Sequence, residues 1–312
     1  MALKIGTFLP QNFAYDPHGD LVNAARSAEE IGYDSVWVFE RVLYAEDQSG
    51  IHKLTEYGDG SWPPVYRKVI EPLVALSMAA AVTSRVRIGT AALIPPMHVP
   101  FRLAHSFASI AAASGGRVIA GLGTGWSVDE YAATAPRPME ERGAALDEFL
   151  DMAKALWGPD PVSFKNERYT VYPAEVGPKP PERIPVLLGG RGKKALDRVA
   201  RRASGWLPSP RRRPAEIDAT LHGLREKAAE YGRNPAELSC TAVAAPGPFA
   251  EVPGSDRMPY TGSMDQVISD FADLSKVGVE EVVVTLPFLA GNVSRLNDLA
   301  AQFHERFRAA GI

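Results

Sequence analysis

The sequence predicts a (β/α)8 TIM barrel with insertions, and three observations lead to this prediction. Short apolar segments alternate with longer amphipathic segments along the 312 residues. Most of the short segments are apolar throughout, which is typical of parallel strands that are covered on both faces. Eight such segments are each followed by a helical pattern, and eight consecutive βα units close most economically into a barrel.

The predicted strands and helices alternate regularly along the chain. The strands are predicted over residues Lys4–Leu9, Ser35–Phe39, Val86–Leu93, Val118–Leu122, Pro185–Leu188, Gly205–Leu207, Ser239–Ala244 and Glu281–Leu286. The helices are predicted over residues Gly19–Ile31, Pro72–Val82, Arg102–Ala113, Glu140–Trp157, Lys193–Ala203, Pro214–Tyr231, Ser263–Val277 and Val293–Ala310. We expect residues 1–312 to form one domain with excursions near residues 40–68, 158–183 and 246–262. The second excursion has the pattern of a small hairpin.

Composition and charge exclude several classes of protein. The chain has 34 basic and 37 acidic side chains, and a net charge of −3 argues against a broad nucleic-acid surface. Its single cysteine, Cys240, cannot form an internal disulfide, as expected in a reducing compartment. The longest apolar runs fall short of the roughly 20 residues that span a bilayer. With no signal-peptide pattern at the N-terminus, we expect a soluble, cytoplasmic protein without a membrane partner.

The first two candidate site segments follow the second and third predicted strands, because barrel chemistry lies where strands end. Glu40 and Arg41 follow strand two, where an adjacent acid and base could polarise a ligand or form a salt bridge across the barrel mouth. Small residues and two prolines in Gly89–Pro96 end strand three. Such residues allow a planar ligand to approach the backbone, although they also simply end strands.

Three further segments follow later strands. Gly121–Trp126 opens a loop in which Thr124 is a candidate donor and Trp126 a candidate wall, and Trp126 replaces the last glycine of a dinucleotide fingerprint. Gly189–Lys194 combines glycines with basic residues before a helix, which indicates an anion site or a loop with solvated charges. Pro259–Ser263 is interpreted as a helix cap.

Metal and acyl-transfer chemistry are not expected. The six histidines show no H-E-x-x-H pattern, and there is no cysteine pair to join them. A G-x-S-x-G nucleophile segment is also missing from the sequence. His52 and His98 lie near the predicted mouth, and we interpret them as surface or packing residues in preference to proton donors.

The candidate site segments and the motifs around them resemble those of the bacterial luciferase-like flavin and deazaflavin oxidoreductases, and the resemblance extends over nearly the whole chain. The most specific stretch is Ile70–Trp126. The motifs within and after it are Glu71–Leu76, Ala79–Thr83, Arg87–Thr90, Ser114–Arg117, Gly121–Trp126, Glu141–Gly143, Gly177–Pro180 and Leu188–Gly190. Several motifs in the same order are more specific than any one of them.

The resemblance implies an insertion-bearing barrel that holds FMN or coenzyme F420 in its mouth. It places a non-prolyl cis peptide at Ala91–Ala92, beneath the ring of the cofactor. It also places Thr90, Thr124 and Gly125 near the ring, and Gly189, Gly190 and Arg191 at the cofactor phosphate. Self-association as a homodimer is expected by the same resemblance.

F420 is the favoured cofactor, because three segments resemble a subgroup usually classed as F420-dependent. These segments are Glu40–Tyr44, Glu46–Gly50 and Trp62–Pro63. Many F420-dependent members carry Asp-His after strand two, with histidine as the acid, whereas this chain has Glu40 and Arg41. Arginine stays protonated at neutral pH, so Arg41 is expected to orient an anionic or carbonyl substrate, and the proton donor is unassigned. The expected walls of the substrate pocket are Tyr44, Trp62, Tyr66, His98 and Trp126.

The leading hypothesis is an F420-dependent oxidoreductase that transfers hydride between the cofactor and an unidentified small organic substrate. An FMN-dependent luciferase-like monooxygenase is the alternative enzyme, and a non-catalytic flavin- or deazaflavin-binding protein is the alternative of another class. A phosphate-binding isomerase or aldolase is disfavoured, because Lys4 lies at the wrong end of strand one for a Schiff base.

Overall fold

The eight predicted strands and eight predicted helices follow one another in the predicted order. The two strands of the predicted hairpin and two short helices that were not predicted lie between them. The computed structural model describes residues 2–12, 14–54, 60–254 and 257–312. Within these ranges the strands are β1 Lys4–Phe8, β2 Ser35–Val38, β3 Arg87–Thr90, β4 Val118–Leu122, β5 Val162–Lys165, β6 Thr170–Ala174, β7 Val186–Gly189, β8 Gly205–Leu207, β9 Ser239–Ala244 and β10 Glu281–Val284. The helices are α1 Asp20–Ile31, α2 Pro72–Val82, α3 Pro100–Ala113, α4 Val128–Thr134, α5 Arg142–Leu156, α6 Lys193–Arg202, α7 Pro214–Glu230, α8 Met264–Lys276, α9 Pro287–Ala290 and α10 Val293–Ala309. Parts of two predicted excursions, residues 55–59 and 255–256, lie outside the described residues.

Eight parallel strands close the barrel in the order β1-β10-β9-β8-β7-β4-β3-β2. Strand β1 closes it by pairing with both β10 and β2, so that Thr7 lies opposite Val284 on one side and Val36 on the other. The predicted (β/α)8 architecture is confirmed. Strands β5 and β6 pair antiparallel outside the barrel and form the hairpin predicted within residues 158–183.

Strand β3 ends at Thr90, three residues before the predicted end. The chain then turns, and the Ala91–Ala92 peptide is cis, as the resemblance implied. After the turn, the N–H of Leu93 donates to Gly121 O of β4 at 3.0 Å. The segment after β3 therefore lies between the ends of β2 and β4.

A tryptophan fills the amino-terminal part of the barrel interior. Trp37 on β2 is fully buried, and glycines on two neighbouring strands make room for its ring. A Cβ atom added at Gly89 would lie 2.6 Å from the ring, and one added at Gly6 would lie 2.8 Å from the indole nitrogen. The indole N–H donates to Ser35 Oγ at 2.6 Å, and the Ser35 hydroxyl donates to the buried Glu281 carboxylate. The interior is thus packed around Trp37, and the mouth is the end at which the strands finish, as in (β/α)8 barrels generally.

Two short helices, α4 and α9, were not predicted. Helix α4 begins after Ser127, whose Oγ accepts the N–H of Glu130 at 3.2 Å. It lies in the connection after β4 and so reaches the barrel mouth. Among the described residues of the excursion near 246–262, no helix or strand forms. No helix within the described ranges is both long enough and apolar enough to cross a bilayer.

Candidate active site

A buried ion pair joins the end of β2 to α4 at the barrel mouth. Arg41 Nη1 donates to Glu130 Oε2 at 2.5 Å, and Glu130 Oε1 accepts the N–H of Val42 at 2.8 Å. The exposed fraction is 10% for the Arg41 side chain and 2% for the Glu130 side chain. Burial raises the pKa of the Glu130 carboxyl above its ordinary value, while the Arg41 charge acts in the opposite direction. The Arg41 charge is therefore largely balanced within the protein.

Four predicted wall residues gather around this ion pair. The Arg41 guanidinium lies between Tyr66 and Trp126, with its Cζ atom 4.8 Å from the centre of each ring. Trp126 packs edge-on against Trp62 with ring centres 4.8 Å apart, and the Tyr44 ring centre is 5.7 Å from that of Trp62. The structure thus assembles Tyr44, Trp62, Tyr66 and Trp126 into one aromatic group with Arg41.

Glu40, the other predicted catalytic residue, is buried in a separate set of contacts. Its Oε1 atom lies 2.7 Å from His98 Nε2, and its Oε2 atom accepts the N–H of Ile94 at 2.6 Å. Burial lowers the pKa of His98, but the hydrogen bond and charge of Glu40 outweigh burial, and the pKa of His98 is raised. Glu40 therefore connects the end of β2 to the segment after β3 through its hydrogen bonds to Ile94 and His98.

The segments after β3 and β4 meet in a surface that is poor in side chains. We call the half-buried Ala91, Ala92, Gly123 and Gly125 the cradle. A Cβ atom added at Gly123 would lie 3.5 Å from the Ala92 Cβ, and one added at Gly125 would lie 2.9 Å from a methyl group of Ile94. Gly125 also has a φ of +72°, which disfavours other residues. The two segments therefore pack closely against each other and against Ile94, and they carry no side chain larger than a methyl group at these four positions.

The two predicted threonine contacts are placed differently. Thr90 is fully buried, and its hydroxyl donates to Gly121 O at 2.7 Å and accepts the Gly121 N–H at 3.0 Å. Its side chain therefore lies in the barrel wall, where it supports the pairing of β3 with β4. Thr124 is half-buried, and its carbonyl accepts the Tyr131 hydroxyl. A contact of either threonine with a cofactor ring stays a prediction.

The predicted anion loop follows β7, which is the neighbour of β4 in the barrel. Gly189 and Gly190 are half-buried, Arg191 is exposed, and α6 begins at Lys193. Gly190 has a φ of +136°, and a Cβ atom there would lie 2.5 Å from the Ala195 Cβ, so the position requires glycine. Backbone amides at a helix start beside basic side chains favour an anion.

Several residues of this region were missed by the sequence analysis. Ser127 and Glu130 have the spacing of a capping box, which could have located α4, but the Glu130 side chain turns to Arg41 instead. His52, interpreted as a surface or packing residue, lies with its Nδ1 atom 2.9 Å from Asp129 Oδ1 and so links the first excursion to α4. Within the described part of the chain, no group of three or more His, Cys, Asp or Glu side chains could hold a metal ion.

The profile of the family described as luciferase-like monooxygenase matches residues 3–249. The chain belongs to the luciferase-like monooxygenase family. An uncharacterized protein of Mycobacterium tuberculosis is 32% identical over 291 residues, which cover 92% of each chain. An F420-dependent glucose-6-phosphate dehydrogenase of Kineococcus radiotolerans is 30% identical over 226 residues, which cover 72% of this chain and 62% of that protein.

Solved structures share the luciferase-like barrel. An F420-dependent secondary alcohol dehydrogenase in complex with an F420-acetone adduct superposes with a TM-score of 0.74 at 18% identity, over 99% of this chain and 100% of that chain. The monooxygenase RslO1 from Streptomyces bottropensis superposes with a TM-score of 0.74 at 19% identity, over the same shares of the two chains. At these identities, both comparisons speak to the fold alone.

Proposed function

We propose that this luciferase-like protein is an F420-dependent oxidoreductase that acts on a small organic substrate. The observation that carries the proposal is the cradle, a side-chain-poor surface beside the anion-favouring loop after β7. A planar ring that bears a phosphate on its side chain fits this combination. Relatives that are named F420-dependent at 30% identity or more support F420 over FMN.

The residues present fit such a cofactor. The backbone of Ala91–Ala92 and of Gly123–Gly125 would hold the ring, and Gly189, Gly190 and Arg191 would hold the phosphate. Reduced F420 bound in this way would supply a hydride, because that chemistry resides in the cofactor. The chain supplies position and shields the site from water.

The substrate would meet Arg41 and the aromatic group. Glu130 holds one edge of the guanidinium, and the rings of Tyr66 and Trp126 fix its plane. Because Glu130 already balances the charge of Arg41, a second buried anion would be poorly compensated. A neutral carbonyl-type oxygen is therefore favoured over a carboxylate at this position. Tyr44 and Trp62 complete a wall that excludes water.

Titration of the purified protein with F420 and with FMN tests the proposal. We expect saturable F420 binding, followed by oxidation of reduced F420 in the presence of a suitable carbonyl compound. Tight FMN binding without F420 binding, together with oxygen consumption on addition of reduced FMN, would instead identify a monooxygenase. F420 binding without turnover on a broad substrate panel would identify a non-catalytic binding protein.

Two glycine variants test whether the cradle is the cofactor site. Gly125 and Gly232 have φ values of +72° and +70°, so alanine is strained at both positions. A Cβ atom meets neighbours at Gly125 but open space at Gly232. We expect Gly232→Ala to cost about 1 kcal/mol of unfolding free energy from backbone strain, and Gly125→Ala to cost more, because its Cβ atom also meets neighbouring atoms. Gly125→Ala alone should weaken F420 binding, and equal binding by the two variants would place the cofactor elsewhere.

A further inference from the structure

Glu40 joins three points of the segment that follows β3. Its N–H donates to Ala92 O at 3.2 Å, its Oε2 accepts the N–H of Ile94 at 2.6 Å, and its Oε1 binds the imidazole of His98 at 2.7 Å. A 3-10 turn over Pro95–Met97 lies between the last two contacts. One buried carboxylate therefore closes the loop between residues 94 and 98.

The contact with Ile94 matters for the cradle. Backbone hydrogen bonds hold the earlier part of the segment, because Ala91 N–H donates to Val38 O at 2.7 Å and Leu93 N–H donates to Gly121 O at 3.0 Å. The N–H of Ile94 is held instead by the Glu40 side chain. Ile94 is the residue that packs beneath Gly125 and Gly123. The carboxylate of Glu40 thus sets the position of the side chain on which the cradle rests.

A buried carboxylate needs a compensating charge. Arg41 is paired with Glu130, so among the described residues the compensating group for Glu40 is His98. The acidic groups that face His98 are Glu40, from the end of β2, and Glu71, from the start of α2. Although burial alone would lower the pKa of His98, the hydrogen bond and these two charges raise it. His98 therefore keeps its proton to a higher pH than an ordinary histidine, and its bond to Glu40 is charge-assisted.

We propose that Glu40 and His98 are positioning residues, in which protonated His98 holds Glu40 and Glu40 holds the Ala92–Ile94 segment in its ligand-binding conformation. We call the contacts of Glu40 with His98 and Ile94 the clamp. The identity of the ligand in the cradle rests on the proposed function, whereas the clamp does not. Below the pKa of His98 the imidazole is protonated and positively charged, and it holds the Glu40 carboxylate. As the pH rises through that pKa, the imidazole becomes neutral, the bond to Glu40 weakens, and affinity for the cofactor falls.

The first experiment needs no cofactor. The imidazole resonances of the six histidines are followed by NMR as the pH changes, and His98 is assigned by the signal lost in His98→Gln. His105 is the control, because it lies on α3 and binds Gly177 O rather than a carboxylate. We expect Glu40→Gln to lower the pKa of His98 and to leave the His105 resonance unchanged. A His98 resonance that does not respond to Glu40→Gln would overturn the clamp.

The second experiment measures Kd for F420 by fluorescence from about pH 6 to about pH 9. We expect the affinity of the unmodified protein to fall about tenfold over this range, which is the effect of losing one charge-assisted hydrogen bond. His98→Gln keeps a donor for Glu40 but cannot titrate, so its affinity should not follow pH, whereas His105→Gln should behave like the unmodified protein. Thermal unfolding at each pH confirms that the variants are folded.

The two experiments separate the inference from the proposed function. If His98 shows the expected titration but the protein binds no F420 at any pH, the clamp stands and the cofactor assignment falls. If F420 binds and His98→Gln retains the pH dependence of the unmodified protein, the cofactor assignment stands and the positioning role is wrong.

Discussion

Two adjacent acidic residues in the first turn of α4 have different environments and should differ in their contributions to stability. Glu130 is 2% exposed and pairs with the buried Arg41, whereas Asp129 is 24% exposed and pairs with His52, which is 34% exposed. Removing one member of a buried pair leaves an uncompensated charge away from water. Water reaches the half-buried pair of Asp129 and His52, screens it in part and would solvate the remaining partner.

We therefore expect Glu130→Ala to lower the free energy of unfolding by about 3 kcal/mol. Asp129→Ala on the same helical turn should lower it by less than about 1 kcal/mol. Urea unfolding of the two variants and the unmodified protein measures both changes. Equal losses would contradict the assignment of Arg41 and Glu130 as a buried pair.

Glu281, at the base of the barrel, makes stability depend on pH. Complete burial raises the pKa of its carboxyl, and the hydrogen bond from Ser35 only partly opposes this effect. The folded protein therefore holds the proton more tightly than the unfolded chain does. The resulting contribution to stability is present in full below the ordinary glutamate pKa of about 4.3 and is lost as the pH rises toward the pKa of the folded state.

Glu281→Gln should remove this pH dependence, because glutamine is neutral and nearly isosteric with protonated glutamate. We expect the unfolding free energy of the variant, relative to the unmodified protein, to increase as the pH rises from about 4 toward neutrality. Glu280→Gln controls for the loss of one carboxylate at this end of β10. A difference between Glu281→Gln and the unmodified protein that does not change with pH would contradict the raised pKa of Glu281.

At the scale of elements, the end of β3 lies directly against β4 at Gly121. A Cβ atom at Gly121 would lie 1.8 Å from Thr90 O, whereas one at Gly123, two residues later, would have its nearest neighbour at 3.4 Å. The first contact is with backbone and cannot be relieved by a side-chain rotation. The second is close to an ordinary van der Waals contact.

Gly121→Ala should therefore separate the two strands, with a loss of more than about 4 kcal/mol or no folded protein at all. Gly123→Ala should fold with a loss below about 1 kcal/mol. The thermal midpoints of the purified proteins, and their yields of folded protein, measure the difference. A stable Gly121→Ala variant would contradict the close approach of Thr90 O to Gly121.

The order of strands and helices was largely predictable from the sequence. The errors in that prediction have local physical causes. All eight barrel strands were predicted, because strands covered on both faces are apolar throughout. The end of β3 was placed at Leu93 because Ala91, Ala92 and Leu93 continue the apolar run. The turn after Thr90 depends on hydrogen bonds to β2 and β4, which a pattern along one segment does not contain. Helix α4 is only seven residues long, so it shows little periodicity.

Sequence reasoning selected several residues that the structure brings together at the barrel mouth, but it did not predict their partners; their role in a site stays a prediction. Glu40, Arg41, Trp62 and Trp126 could be selected because they lie near the ends of strands and in the adjoining loops. Their partners were not predictable, because Glu130 lies 89 residues from Arg41 and His98 lies 58 residues from Glu40. Contacts at this separation arise because β2, β3 and β4 are neighbours in the barrel and bring the segments after them together.

At the scale of the whole molecule, the barrel needs residues beyond those that the family profile matches. The match ends at residue 249, but β10 pairs with both β1 and β9. Helix α10 also buries Phe303 and Phe307 completely. A chain that ends at residue 249 would leave two strand edges open and the core uncovered.

We expect a chain truncated after residue 249 to lack the cooperative thermal unfolding of the complete chain, as measured by circular dichroism. Within the complete chain, Phe307→Ala should cost about 3–5 kcal/mol of unfolding free energy because it opens a cavity. Arg306→Ala, which removes an exposed ion pair with Asp265, should cost less than about 1 kcal/mol. Cooperative unfolding of the truncated chain would contradict the role of β10 in closing the barrel.

Self-association of the whole molecule as a homodimer stays a prediction from the family resemblance. A homodimer should show a mass of twice 33.7 kDa by gel filtration with light scattering. A mass of one chain at every protein concentration would exclude it.

The tryptophan inside the barrel has a kinetic consequence. Because Trp37 and its neighbours fill the interior beneath the mouth, a ligand reaches the cradle past the loops that follow the strands. A cofactor on the cradle and a substrate at Arg41 would therefore share one entrance. We expect a saturating substrate analogue to slow F420 dissociation in a stopped-flow displacement measurement, and a dissociation rate unchanged by the analogue would contradict a shared entrance.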